Sequence, residues 1–237
     1  MTSVPTAQQF VKELKALSSR DQVEKVARFF RGDDGRANDN RIMGVTPGKV
    51  FPLAKTFTTL PLADVETLLD SPFYEVRLGA VSIMDFQARA KSSGAPHRKA
   101  LFDLYMKRHD RINTWDLVDR AAPHVVGGYL ADKPRHVLYR LAKSRHASER
   151  RTAIVSTYYF IRTGDVADTF AISALLVEDA HDLVQKATGS WLREAGKKDR
   201  ARLVAFLERH ARRMPRTMLR YATEKLDKAQ REKFLAT

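Results

Sequence analysis

No cysteine occurs among the 237 residues. That excludes disulfides, thiolate zinc sites and iron–sulfur clusters together, and it fits a reducing compartment. Nor does any apolar run reach the roughly 18 residues that cross a bilayer. The opening stretch, MTSVPTAQQFVKELKAL, carries charges and glutamines where a signal peptide needs an apolar core. The expected location is therefore the cytoplasm, without a membrane partner. Metal-binding spacings are missing too, for the seven histidines form no HExxH pair. In TGSWLREAGKK (188–198) six residues, not four, separate the glycines, and no Ser or Thr follows the lysine, so it is no P-loop. DDGRANDN (33–40) lacks the alternating ligands of an EF-hand. No serine or cysteine nucleophile motif is visible, and no cofactor or metal is expected.

Acidic residues are scarce relative to basic ones. Against 28 Asp and Glu stand 42 Lys and Arg, a formal charge of +14. Such a surplus on a folded domain suggests a polyanion partner, most often nucleic acid. A solubility surplus, a ribosomal partner or an anionic lipid surface would produce the same balance.

Alternating β-patterns bounded by hairpin turns are also missing, and helical signals dominate instead. FVKELKAL places Phe10, Val11, Leu14 and Leu17 on one stripe. Turn signals punctuate short segments at Thr46-Pro47-Gly48, Ser71-Pro72, Gly94-Ala95-Pro96, Lys133-Pro134, Gly164-Asp165 and Met214-Pro215. Proline in a first helical turn and glycine between elements are start and stop marks. The polar RGDDGRANDNR (31–41) reads as a surface loop.

Four segments can be laid over one another: YEVRLGAVSIM (74–84), SERRTAIVSTY (148–158), DLVQKATGSWL (182–192) and RTMLRYATEKL (216–226). Their alanines fall at Ala80, Ala153, Ala187 and Ala222, the later intervals being 34 and 35 residues and the first 73, about two periods. TWDLVDRAAPHVV (114–126) supplies the intervening unit, with Ala122 near the expected place. A period in the mid-thirties with two helices per unit signals a helical solenoid. The expected fold is all-α, a curved α-α superhelix of about six HEAT-like helix pairs forming a single domain over 1–237.

The unit that breaks the pattern is NTWDLVD (113–119). Asn113 is a suitable N-cap, and Asp116 three residues later completes a capping-box-like arrangement. Asp119 lies past the first turn and has no such structural role. Trp115 and Asp119 stand four apart, so an aromatic ring and a carboxylate share one helix face. Pro123, four after Asp119, should kink the helix there, since its ring meets the Asp119 carbonyl. Core packing for Trp115 and an interhelical ion pair for Asp119 are the competing readings. In the repeat register Arg151 and Arg220 are equivalent, and Arg150, Lys186, Arg193, Lys197, Lys198, Arg212, Arg213 and Arg216 surround them. Basic residues in register on successive helices form a stripe that can follow a phosphate backbone. In KKDRARLVAFLERHARRMPR (197–216) the local acids are too few to pair them.

The segments INTWDLVD, RRTAIVSTYYFIRTGD, DAHDLVQKATGSWLREAGKKD and HARRMPRTMLRYATEKL, with the weaker MGVTPGKVFPLAK, together resemble the AlkD-like alkylpurine DNA glycosylases. These form a bacterial DNA alkylation repair family built from HEAT-like repeats. The resemblance covers most of the chain from about residue 40. It implies excision of cationic N3- or N7-alkylated purines from duplex DNA, by a monomer. It places the catalytic carboxylate on Asp119, its tryptophan neighbour on Trp115 and the phosphate-contacting arginine on Arg151. The family is understood to act without drawing the lesion into a pocket. One departure stands out: the family pattern is Gly-Trp-x-Leu-Arg-Glu, whereas here Ser190 follows Gly189 and Trp191 comes one place later. One helical position is about 100° of rotation, so Trp191 reads as a packing residue and Ser190 as the gap in an aromatic wall.

Overall fold

The structure, a computed structural model, describes residues 5–27 and 40–236. The stretch 31–41 read as a loop lies outside them except for its last two residues. Every described element is helical, apart from an isolated bridge between Arg41 and Phe73. The all-α expectation therefore holds. The chain divides into two compact units, Met1–Tyr129 and Leu130–Thr237.

In the first unit the helices are α1 (Ala7–Ala16), α2 (Arg20–Ala27), α3 (Pro47–Thr56), α4 (Leu62–Leu69), α5 (Tyr74–Arg89), α6 (Ala95–Lys107) and α7 (Trp115–Ala121). Helices α3, α5 and α7 pack side by side in that order, while α4 and α6 pair outside them. Helix α5 is buried nearly all round, as expected for a central helix. Its buried polar groups each hold a neighbouring segment. The Glu75 carboxylate accepts from the backbone N–H groups of Met43, Gly44 and Val45 at 2.8–3.2 Å, and Gln87 donates to the Thr58 and Leu60 carbonyls. Such pairing is what makes a buried carboxylate tolerable. Gly44 makes the turn possible, for its φ is +82° and a Cβ there would lie 2.2 Å from the Ser19 carbonyl oxygen.

The second unit holds α8 (His136–Leu141), α9 (Ala147–Ser156), α10 (Tyr158–Arg162), α11 (Ala167–Leu175), α12 (Asp182–Lys198), α13 (Arg200–His210), α14 (Arg216–Ala222) and α15 (Lys228–Leu235). Helices α9, α12 and α14 stack in succession, and α11 pairs with α13 in a second layer. The repeat alanines are buried, Ala80 on α5 and Ala153, Ala187 and Ala222 on α9, α12 and α14. Each turn signal named above falls at a helix boundary. Asp199 and Asp227 cap α13 and α15 by accepting from Arg202 N and Gln230 N at 2.9 Å.

Candidate active site

An apolar cleft of about 330 Å³ opens in the first unit between α2, α3, α5 and α7. Val26, Pro47, Phe51, Tyr74 and Leu78 line it, and α7 contributes Trp115, Asp116, Asp119 and Arg120. The sequence places these four within a turn and a half, at spacings of three and four that face one way. Trp115 and Asp119 are therefore brought together on one wall, each partly exposed.

The start of α7 differs from the expected capping box. Its N-cap is Thr114, in an extended conformation, not Asn113. The Thr114 hydroxyl donates to Asp116 Oδ1 at 2.6 Å, and Leu117 N donates to the same oxygen at 3.0 Å. The other oxygen, Oδ2, accepts from the buried hydroxyl of Tyr74. Asp116 is thus structural, as its position suggested, but it binds α7 to α5 across 42 residues rather than closing its own first turn. Burial pushes the Asp116 carboxyl up, against the hydrogen bonds from Thr114 and Tyr74. Burial likewise pushes up the Tyr74 hydroxyl, helped by the Asp116 charge. This pair leaves Asp119 as the second carboxylate of the cleft wall.

Pro123 has no N–H to offer the Asp119 carbonyl. Helix α7 ends at Ala121, and Ala122–Gly127 continue as a π-turn in which Gly128 N donates to the Pro123 carbonyl at 3.0 Å. Where a proline kink is expected, the structure has a change of helical register, a feature often found beside functional sites.

Arg120 of the cleft wall is tied to Asp85 of α5, which is 1% exposed. Its carboxylate meets Arg120 Nη2 at 3.2 Å, His124 Nδ1 at 2.8 Å and Arg89 Nη1 at 3.3 Å. The Arg120 guanidinium also lies 4.7 Å from the ring centres of both Phe51 and Phe86, and its Nε donates to Ser82 Oγ at 3.1 Å. Phe51 lies in the weakly matching MGVTPGKVFPLAK and Tyr74 opens the repeat segment YEVRLGAVSIM, but neither pattern marks them, or Asp85, for a site.

The basic residues are more committed than their sequence suggests. Arg150 holds Asp179 through Nε at 2.5 Å and Nη2 at 3.0 Å, and donates to the Ser144 carbonyl at 3.0 Å. Arg151 is 8% exposed and donates to the Leu183 carbonyl at the start of α12. Arg193 pairs with Glu194 and Glu224, Lys197 with Glu194, Arg200 with Asp227 and Arg213 with Glu178. Arg216 donates to the Leu235 carbonyl. The expectation that 197–216 lacks acids to pair with is corrected: Glu178, Glu194 and Asp227 come from outside that segment. Arg151 and Arg220, equivalent in register, differ in setting, since Arg220 is exposed. Lys198 is exposed as well.

Trp191 packs against the core of the second unit, its ring 4.9 Å from that of Tyr158, which agrees with its reading as a packing residue. Ser190 is partly exposed. Gly189 lets α12 and α14 touch: a Cβ would lie 2.4 Å from the Met218 carbonyl oxygen and 2.6 Å from Tyr221 Cβ.

The helical architecture and a cleft pairing an aromatic ring with a carboxylate define a class of all-helical protein consistent with the resemblance noted above. The chain belongs to the DNA alkylation repair enzyme family, whose model matches residues 10–226. This membership gives it a role in DNA alkylation repair. Among solved structures it is similar to a "predicted DNA alkylation repair enzyme" from Enterococcus faecalis, with 14% identity, 89% of this chain and 97% of the other covered, and a TM-score of 0.67. That likeness supports the fold. No match is found among curated proteins.

Proposed function

We propose that the protein is a monofunctional DNA glycosylase that excises cationic N3- and N7-alkylated purines, such as 3-methyladenine and 7-methylguanine, from duplex DNA. The observation that carries this reading is the placement of Trp115 and Asp119 on one wall of an otherwise apolar cleft. An alkylated purine already bears positive charge, so its glycosidic bond breaks without a strong general acid. The electrons of that bond neutralise the departing base and leave an oxocarbenium-like sugar. A fixed carboxylate in a low-dielectric wall stabilises that cation, and Asp119 can orient the water that adds to the sugar carbon and releases its proton to solvent. The Trp115 ring contributes cation–π attraction of roughly 0.5–2 kcal/mol.

The proposed partner is duplex DNA, bound by a monomer acting in the cytoplasm at the nucleoid. Exposed Lys198 and Arg220 are the favoured phosphate contacts, with Arg151 and the neighbouring paired arginines holding the helices that present them. A second reading, a weakly catalytic or non-catalytic paralogue that binds distorted or branched DNA, is favoured by Ser190 alone. Incubating the protein with methylated duplex DNA separates the two. The glycosylase reading expects released 3-methyladenine and 7-methylguanine; intact DNA binding with no released base would sink it in favour of the second.

A further inference from the structure

A cleft that stabilises a developing cation should not carry an uncompensated cation in its own wall, because like charges repel strongly where water is scarce. Yet Arg120 is adjacent in sequence to Asp119 and lines the same cleft. Its guanidinium is held by three groups: the Asp85 carboxylate at 3.2 Å and the rings of Phe51 and Phe86 at 4.7 Å each. Ser82 Oγ, accepting from Nε, fixes its orientation. Asp85, paired with it, is 1% exposed on the central helix of the unit. Burying an acid on α5 is costly unless it is paired. Here the pairing neutralises a charge that would otherwise oppose the chemistry.

We infer that Asp85 is a positioning residue for base excision: it neutralises and anchors Arg120, so that the cleft beside Asp119 favours a positively charged sugar. This rests on the glycosylase reading for the reaction, but the electrostatic claim about the cleft can be tested without turnover. Burial lowers the Arg120 pKa while Asp85 raises it, which fits a partly buried cation that depends on its partner. Asp85 also holds His124 on the π-turn and reaches Arg89, half exposed at its side chain. A merely structural role would run through those contacts, so the test must separate them from Arg120.

The experiment measures binding of two duplexes, one carrying a cationic pyrrolidine in place of a sugar and one carrying neutral tetrahydrofuran. Single-turnover excision from methylated DNA is followed beside it. Wild type is expected to prefer the cationic duplex. Asp85→Asn is expected to lose about tenfold in that preference and in excision rate, with affinity for the neutral duplex unchanged. Arg120→Met keeps length and apolar packing without charge, leaves Asp85 to His124 and Arg89, and is expected to keep the cationic preference at a lower stability. The double variant D85N/R120M should recover the cationic preference, because the charge that needed neutralising is gone. A double variant as impaired as Asp85→Asn would overturn the proposal, as would an Asp85→Asn protein that keeps the full preference. A wild type without any preference for the cationic duplex would overturn it as well. A wild type that prefers the cationic duplex but releases no base would contradict the glycosylase reading and leave only the neutralisation of Arg120 by Asp85 standing.

Discussion

Neighbouring residues on α12 have separate tasks. Gly189 exists for contact, since nothing larger fits against Met218 and Tyr221. Gly189→Ala is expected to destabilise the protein by about 1–3 kcal/mol, the cost of overpacking a tight helix contact, read as a lower midpoint in urea. An unchanged midpoint would mean that α14 shifts freely, against the backbone clash described. Ser190, one place on, is partly exposed, and Trp191 turns into the core beside Tyr158. If Ser190 marks a missing wall, Ser190→Trp raises excision severalfold; an equal or lower rate counts against that account. The order of these residues was legible in the sequence, because a one-residue displacement on a helix is a rotation of about 100°. The binding of Asp116 by Tyr74 was not. Its partner lies 42 residues away, and a local pattern carries no information about which hydroxyl will be brought alongside.

Between elements, most of the fold was readable and most of the ion pairing was not. Prolines and glycines marked the helix boundaries because they act on their own backbone. Buried alanines, Ala80 in the first unit and Ala153, Ala187 and Ala222 in the second, marked where helices approach within each unit. By contrast, the acids that pair with the basic segment 197–216 sit on other elements, so counting charges within the segment overstated its free positive charge. Arg135 illustrates such a tie between elements. From the N-cap of α8 it reaches Asp165 and Asp168, both at 2.6 Å, at the start of α11, and it packs 3.7 Å over the Phe160 ring. The Arg135 hydrogen bond holds the Asp165 carboxyl below its ordinary value of 3.8. Because the folded value is the depressed one, this stabilisation is complete above pH 3.8 and lost as pH falls through the folded value. Arg135→Met should therefore cost about 1 kcal/mol through this pair at neutral pH, a modest figure because Asp165 is well exposed. The gap between the two unfolding curves should narrow in acid. A gap that stays constant down to strong acid would show that ring packing, not the ion pair, is what was lost.

The surplus of +14 charges gives the whole molecule a positive field, while the pairing pattern decides which cations are left to meet phosphate. DNA affinity should fall log-linearly with salt, since each neutralised phosphate releases counterions. Lys198→Gln and Arg220→Gln should each flatten the slope by about one unit. Arg150→Gln should leave the slope unchanged and instead lower stability by on the order of 3 kcal/mol, because it strands the buried Asp179 carboxylate. If Arg150→Gln flattens the slope while the exposed pair does not, the assignment of contacts is reversed.

The central claim is that the α7 wall of the cleft does chemistry, with Asp119 as its acting group. The direct measurement is single-turnover release of 3-methyladenine from methylated duplex DNA by wild type and by Asp119→Asn. Removing the charge while keeping the shape should slow release by about a hundredfold or more without weakening DNA binding. Release by Asp119→Asn as fast as wild type would contradict the claim, even if the protein remained a glycosylase.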